Sequence, residues 1–194
     1  MKQGLGAKLA YYGTVGVLNV AVGVMFYAVN MQAPYVAAAS EPLHHLPTRI
    51  RPIPATQGLP TRIVIPSLGI DLPVKVGSYD AASGNWTLDT SAAYYADTSM
   101  PINNSNGVTL IYGHAQSPVF ARLPDIQPQA AVSIYTDSGY LFHYRYQTLR
   151  QVDPSDTSVF TASGPPTLTL QTCIGAYSEL RAMFSFRLEA IDKL

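Results

Sequence analysis

The chain has 194 residues, enough for one ordinary domain with short extras, and 47% of them are hydrophobic against 12% charged. Twelve basic and twelve acidic side chains cancel to a formal charge of zero, and with no basic stripe to neutralise phosphates, nucleic acid is excluded as a partner. The one cysteine permits no internal disulfide, so the fold rests on its core and the lone thiol calls for an explanation.

Residues 1–8 contain Lys2 and Lys8 and are expected in the cytoplasm, ahead of residues 9–31, which hold no charged side chain. A helix needs about 20 apolar residues to cross a bilayer, and this run supplies them. The first charge after it is Glu41 and the first basic residue Arg49, an asymmetry that places the amino terminus inside and the rest outside. Tyr11, Tyr12, Phe26, Tyr27 and Tyr35 stand near the two ends, as interfacial aromatics do. Ala37-Ala38-Ala39 offers small residues for leader cleavage, but the run is long for a leader, so an uncleaved single-pass anchor in the cell membrane is expected. Residues 32–60 carry Pro34, Pro42, Pro47, Pro52, Pro54 and Pro60 and read as an extended, semi-rigid linker. The adjacent His44 and His45 in that linker read as solvated side chains, and no metal site or cofactor is expected.

From Thr61 to the end, residues 61–194, the pattern is short and β-like. Strands are expected at 62–66, 70–77, 85–88, 108–112, 131–136, 140–149, 166–173 and 181–191, with Pro73 suiting an edge or a bulge. Asp137-Ser138-Gly139 marks a tight turn between two of them. Helical signal is confined to short pieces such as 119–123. Eight short strands with turn signals between them predict an all-β closed barrel or sandwich.

In the last strand Ala182, Phe184, Phe186, Leu188 and Ala190 share a core face, leaving Arg181, Met183, Ser185 and Arg187 on the other. In the strand before it, Thr169, Gln171 and Cys173 share the more polar face. Cys173 therefore ends a strand away from the core, Arg181 opens the next on its polar side, and a tight connection lets both face one groove. A thiol near a positive charge is a candidate nucleophile, because thiolate is the reactive form; the alternative is a buried Cys acting as a small hydrophobe. Of four histidines, His114 emerges just beyond the apolar run 108–112 and Gly113, where groups converge on a substrate, unless it is a simple turn residue. His143 lies mid-strand among aromatics and suits a satisfied structural role. Arg181 offers permanent charge and several donors for a developing oxyanion; its alternative is a surface charge, with Arg187 as competitor.

These residues resemble the sortase family: Tyr112-Gly113-His114-Ala115 with Phe120 and Leu123 following, Thr169-Leu170-Gln171-Thr172-Cys173, and an arginine, Arg181, opening the final strand. Ile63 to Ile70 with Pro66 and Gly69, and Gly84-Asn85-Trp86, are similar to family segments as well. The resemblance implies a closed eight-stranded β-barrel with short helices and a surface groove. It implies that Cys173 attacks the Thr carbonyl of an LPxTG-like sorting signal, and that an amine from a cell-wall precursor or a pilin lysine resolves the thioacyl intermediate. Carried over, His114 is the acid and base, Arg181 holds the substrate backbone or oxyanion, and Thr172 helps line the substrate site. Residues 152–160 are expected to contact the Leu-Pro portion of the signal. Gln129-Ala130 departs from a family Gly-Asp, and Asp153 and Asp156 form no acidic cluster, so calcium independence is expected. No lid precedes the barrel and no second apolar helix follows it, which points to a housekeeping or general-purpose type rather than a pilin polymerase.

Two other readings stay open on the residues alone. One is a thiol hydrolase of the same fold, passing the acyl group to water. The other is a non-catalytic exported peptide-binding β-barrel in which Cys173 is incidental.

Overall fold

The computed structural model describes residues 54–194. The expected cytoplasmic segment 1–8, membrane helix 9–31 and most of the linker lie outside the described residues. Among the described residues no helix is long and apolar enough to cross a membrane.

Eight strands close into one barrel: β1 Pro60–Ile65, β2 Ile70–Gly77, β3 Ala93–Ala96, β4 Val108–Tyr112, β5 Ala131–Thr136, β6 Tyr140–Val152, β7 Thr167–Ile174 and β8 Leu180–Lys193. Around the barrel the order is β6-β8-β7-β4-β3-β2-β1-β5, with β2/β3 and β4/β7 parallel and the other pairs antiparallel. Closure gives every strand a neighbour on each side over at least part of its length. The all-β, eight-stranded barrel expected above is thus present, with one exchange of strands. Asn85–Trp86 forms a two-residue pair with Tyr79–Asp80 outside the barrel, and the eighth barrel strand is Ala93–Ala96. The helix expected at 119–123 is absent; that stretch is irregular and ends in the 3-10 turn Leu123–Asp125. Pro73 lies at no edge: β3 pairs only from Val74 onward, so on that side no amide is required of Pro73. The folded body also reaches back before Thr61, because Gln57–Gly58 pairs with Ile102–Asn103 and the Thr56 amide donates to Asn104 Oδ1 at 2.9 Å.

The strands form where the sequence alternates. In β2, Ile70, Leu72 and Val74 are buried while Asp71, Pro73 and Lys75 are exposed. Gly69, at φ +63°, closes the 3-10 turn Pro66–Leu68 between β1 and β2, a left-handed position that suits glycine. The barrel interior holds Ile63, Ile65, Leu72, Phe120, Ile134, Phe142, Leu168, Leu170, Phe184 and Phe186, all essentially solvent-free.

A second apolar cluster lies against the outside of the barrel. It joins Ala92, Tyr94 and Ala96 to Leu110, Tyr112, Val159 and Met183. This corrects the expected polar face of β8: Met183 is buried, because the chain between β6 and β7 returns across it and brings Val159 and Phe160. Gly77 shows how tightly this cluster is built. A Cβ there would strike the Tyr112 hydroxyl and come within 3.1 Å of Tyr94 Cδ1. Gly77→Ala is therefore expected to destabilise the fold by about 1–3 kcal/mol, the usual cost of overpacking, read by urea denaturation.

Candidate active site

A groove of about 590 Å³ opens over this second cluster. Its floor is Leu110, Tyr112 and Gly113 of β4 with Gln171, Thr172 and Cys173 of β7, and Arg181 of β8 borders it. Residues 154–160 of the β6–β7 connection form one wall, and Tyr79, Trp86 and Leu88 from the segment between β2 and β3 form another.

Strand register places the polar groups. Cys173 and Arg181 are directly opposite in the antiparallel β7/β8 ladder, and paired residues place their side chains on the same face of a sheet. Leu168 and Leu170 point into the barrel, so the alternate positions Gln171 and Cys173 face outward to the groove. Cys173 is half-buried and unpaired, a free thiol at the groove floor. The alternative of a fully buried structural Cys does not describe this placement.

His114 is delivered to the same end of the barrel by β4. The Gly113 amide donates to the Gln171 carbonyl at 3.1 Å, extending the parallel β4/β7 pairing by one residue. The Thr172 hydroxyl donates to the Gly113 carbonyl at 3.0 Å. The residue before His114 is therefore fastened on both sides to the residues before Cys173. His114 itself is half-buried, and its carbonyl accepts from the Phe120 amide at 2.9 Å. Glycine is needed at 113, because a Cβ would lie 2.7 Å from Val119 Cγ1 and 3.0 Å from Phe120 Cδ2.

Thr172 borders the groove, but it is 2% exposed and its hydroxyl is committed to Gly113. Its contribution is to the backbone that carries His114. Replacing it with valine removes the donor and leaves a buried carbonyl without its partner, at a cost of about 1–3 kcal/mol. Thr172→Val is therefore expected to lower the denaturation midpoint and the rate of any reaction using His114, both measurable on the purified chain.

The Nη1 nitrogen of Arg181 donates to the carbonyls of Ser178, at 2.8 Å, and Leu180, at 3.3 Å. Asp153 lies close enough to feel its charge: hydrogen bonds from Ser155 hold that carboxyl below the ordinary range, and Arg181 lowers it further. Arg187, the competing arginine, is exposed and reaches Glu189 at 3.6 Å, away from the groove. His143 bonds Ser133 Oγ at 3.3 Å and Asp192 at 2.9 Å, a satisfied cross-strand position on the outer barrel surface.

Sequence reasoning passed over the aromatic wall. Trp86 stacks on Phe160, with centroids 5.8 Å apart and planes inclined by 13°, and meets Tyr112 edge-on at 5.3 Å. The available signal was the chain's sole tryptophan standing in a Gly-Asn turn, where no barrel strand needs it. Burial pushes the Tyr112 phenol above its ordinary range, and its hydroxyl donates to the Thr87 carbonyl at 2.8 Å, tying β4 to the segment that carries Trp86.

Residues 63–187 match the family model described as the Sortase domain. Solved structures with the same fold include sortase A from Corynebacterium diphtheriae, in a lid mutant. It is 24% identical with a TM-score of 0.57, over 71% of this chain and 73% of that one. Sortase A from Listeria monocytogenes is 20% identical with a TM-score of 0.57, over 72% of this chain and 92% of that one. Sortase E1 from Streptomyces coelicolor, determined with a tripeptide in its active site, is 18% identical with a TM-score of 0.55, over 71% and 91%. No curated protein matches the chain.

Proposed function

The chain belongs to the sortase family, whose members are cysteine transpeptidases, and from that premise we propose that it cleaves an LPxTG-like sorting signal and transfers it to an amine acceptor outside the cell membrane. The observation that carries this reading is the Cys173–Arg181 pair at the groove floor, with the residue before His114 bonded to Gln171 and Thr172.

In the proposed reaction the Cys173 thiolate attacks the Thr carbonyl carbon. The carbonyl oxygen takes up negative charge beside the Arg181 donors. The C–N bond to the following Gly breaks, and His114 gives its proton to the departing amine. The thioester on Cys173 is then attacked by an incoming amine, whose proton returns to His114 as the thiolate leaves. The apolar floor and the Trp86–Phe160 stack suit the Leu-Pro part of the signal, and residues 152–160 border it. The acceptor is a cell-wall precursor or a pilin lysine. Action without calcium and a housekeeping or general-purpose type complete the proposal. Residues 9–31 anchor the chain as a single-pass helix, holding the catalytic domain outside.

Full-length protein in detergent, given an LPxTG-like peptide and a glycine-based amine, tests this directly by mass spectrometry of the products. A ligated peptide that is missing with Cys173→Ala supports the transpeptidase. Cleavage without ligation across a panel of amines supports a thiol hydrolase. No reaction across varied peptides and an alkylation-resistant Cys173 would leave a peptide-binding barrel.

A further inference from the structure

Residues 175–179 join the strand of the proposed nucleophile to the strand of the proposed oxyanion arginine, and one carboxylate organises them. The Tyr177 amide donates to Glu179 Oε2 at 2.8 Å, and the amides of Glu179 itself and Ala176 lie near the same carboxylate. These backbone donors hold the Glu179 carboxyl below its ordinary range. Gly175 stands at φ +91°, and a Cβ there would strike the carboxylate, so the turn is closed around it. Ser178 is left at φ +59°, with its amide on the Gly175 carbonyl at 3.2 Å and its own carbonyl turned to Arg181.

Arg181 is held through that carbonyl. Nη1 donates to two carbonyls, that of Ser178 in the loop and that of Leu180 at the start of β8. Nε and Nη2 make no hydrogen bond among the described residues, and the residue borders the groove. One nitrogen thus anchors the guanidinium while the others remain available to a ligand. No ion pair joins Glu179 to Arg181 among the described residues, so any influence passes through the loop backbone.

We propose that Glu179 is a positioning residue: by accepting the Tyr177 amide and packing against Gly175 within the β7–β8 loop, it sets the Ser178 carbonyl that orients Arg181 toward the groove. This rests on the reading above that gives Arg181 the oxyanion. Glu179 touches no reacting atom. Removing its carboxylate frees the loop, lets Ser178 leave its left-handed conformation, and releases the guanidinium. A modest misplacement of a catalytic group is enough to lower a rate by about ten- to a hundredfold.

The test uses the full-length chain in detergent with two readouts. Phenylglyoxal labelling, mapped by mass spectrometry, reports the release of Arg181 without needing any reaction. Labelling of Arg181 should rise severalfold in Glu179→Ala while that of Arg187 stays constant; unchanged labelling of Arg181 overturns the proposal. Ligation kinetics give the second readout. Glu179→Ala should lower kcat while KM and the alkylation rate of Cys173 hold, and Glu179→Gln, which keeps an acceptor oxygen, should recover most of the loss. In an Arg181→Ala background Glu179→Ala should add nothing further; independent, multiplying effects overturn the proposal. Should Glu179→Ala fold poorly, Gly175→Ala, which crowds the same carboxylate, is expected to give the same labelling change. If the wild type ligates no peptide but labelling shifts as described, the positioning link stands and the transpeptidase reading falls.

Discussion

Cys173→Ala is expected to remove cleavage and ligation together, by at least about a thousandfold, while the barrel remains folded. The activity follows from the scheme's covalent step. Without the sulfur no thioester forms, and His114 and Arg181 alone have only water to activate. The intact fold follows from the site's construction. Cys173 is half-buried at the groove floor, outside both apolar clusters. Its neighbours are held by backbone pairing with β8 and, through Thr172 and Gln171, with the Gly113 segment. Substitutions away from core and networks usually stay within about 0.5 kcal/mol, so the denaturation midpoint should barely move. Product mass spectrometry and urea denaturation on the same sample separate the two effects.

His114→Ala is expected to cost about 10²- to 10⁴-fold in turnover, in both half-reactions. In the proposed scheme the same imidazole protonates the leaving amine and deprotonates the arriving one, so peptide cleavage measured without acceptor and ligation measured with it should fall alike. Stability should change little, because the contacts that fasten this segment come from the backbone at 113 and 114 and from Phe120, none of which the substitution removes. A loss confined to ligation would restrict His114 to the acceptor step and require another acid for cleavage.

The sequence made the barrel legible wherever a strand buries one face. Ile70, Leu72 and Val74 against Asp71 and Lys75, or Ala182, Phe184 and Phe186 along β8, declare their strands by alternation. Ala93–Ala96 escaped because all four residues are buried, on both faces at once, so nothing alternates. Asn85–Trp86 was mistaken for a barrel strand because a turn followed by apolar residues carries no record of which sheet it joins. Met183 shows the same limit in packing: a period of two assigns its face, but only a distant loop decides whether that face is covered.

At the site, the facing of Cys173 and Arg181 was readable because both follow from counting along two adjacent strands joined by a short connection. The bond from Thr172 to Gly113 was not, since it joins β7 to β4 through a parallel pairing that local sequence does not encode. The Trp86–Phe160 stack was out of reach for a similar reason, since its rings lie on two short elements far apart in the chain.

The proposed covalent step at Cys173 can be read by intact-mass analysis with peptide mapping. Full-length protein is incubated with an LPxTG-like peptide and no amine, then quenched in acid. The expected result is an adduct of the peptide's amino-terminal fragment on Cys173, discharged by hydroxylamine as the hydroxamate and absent from Cys173→Ala. Peptide cleaved with no adduct at Cys173, or cleaved equally by Cys173→Ala, would contradict it.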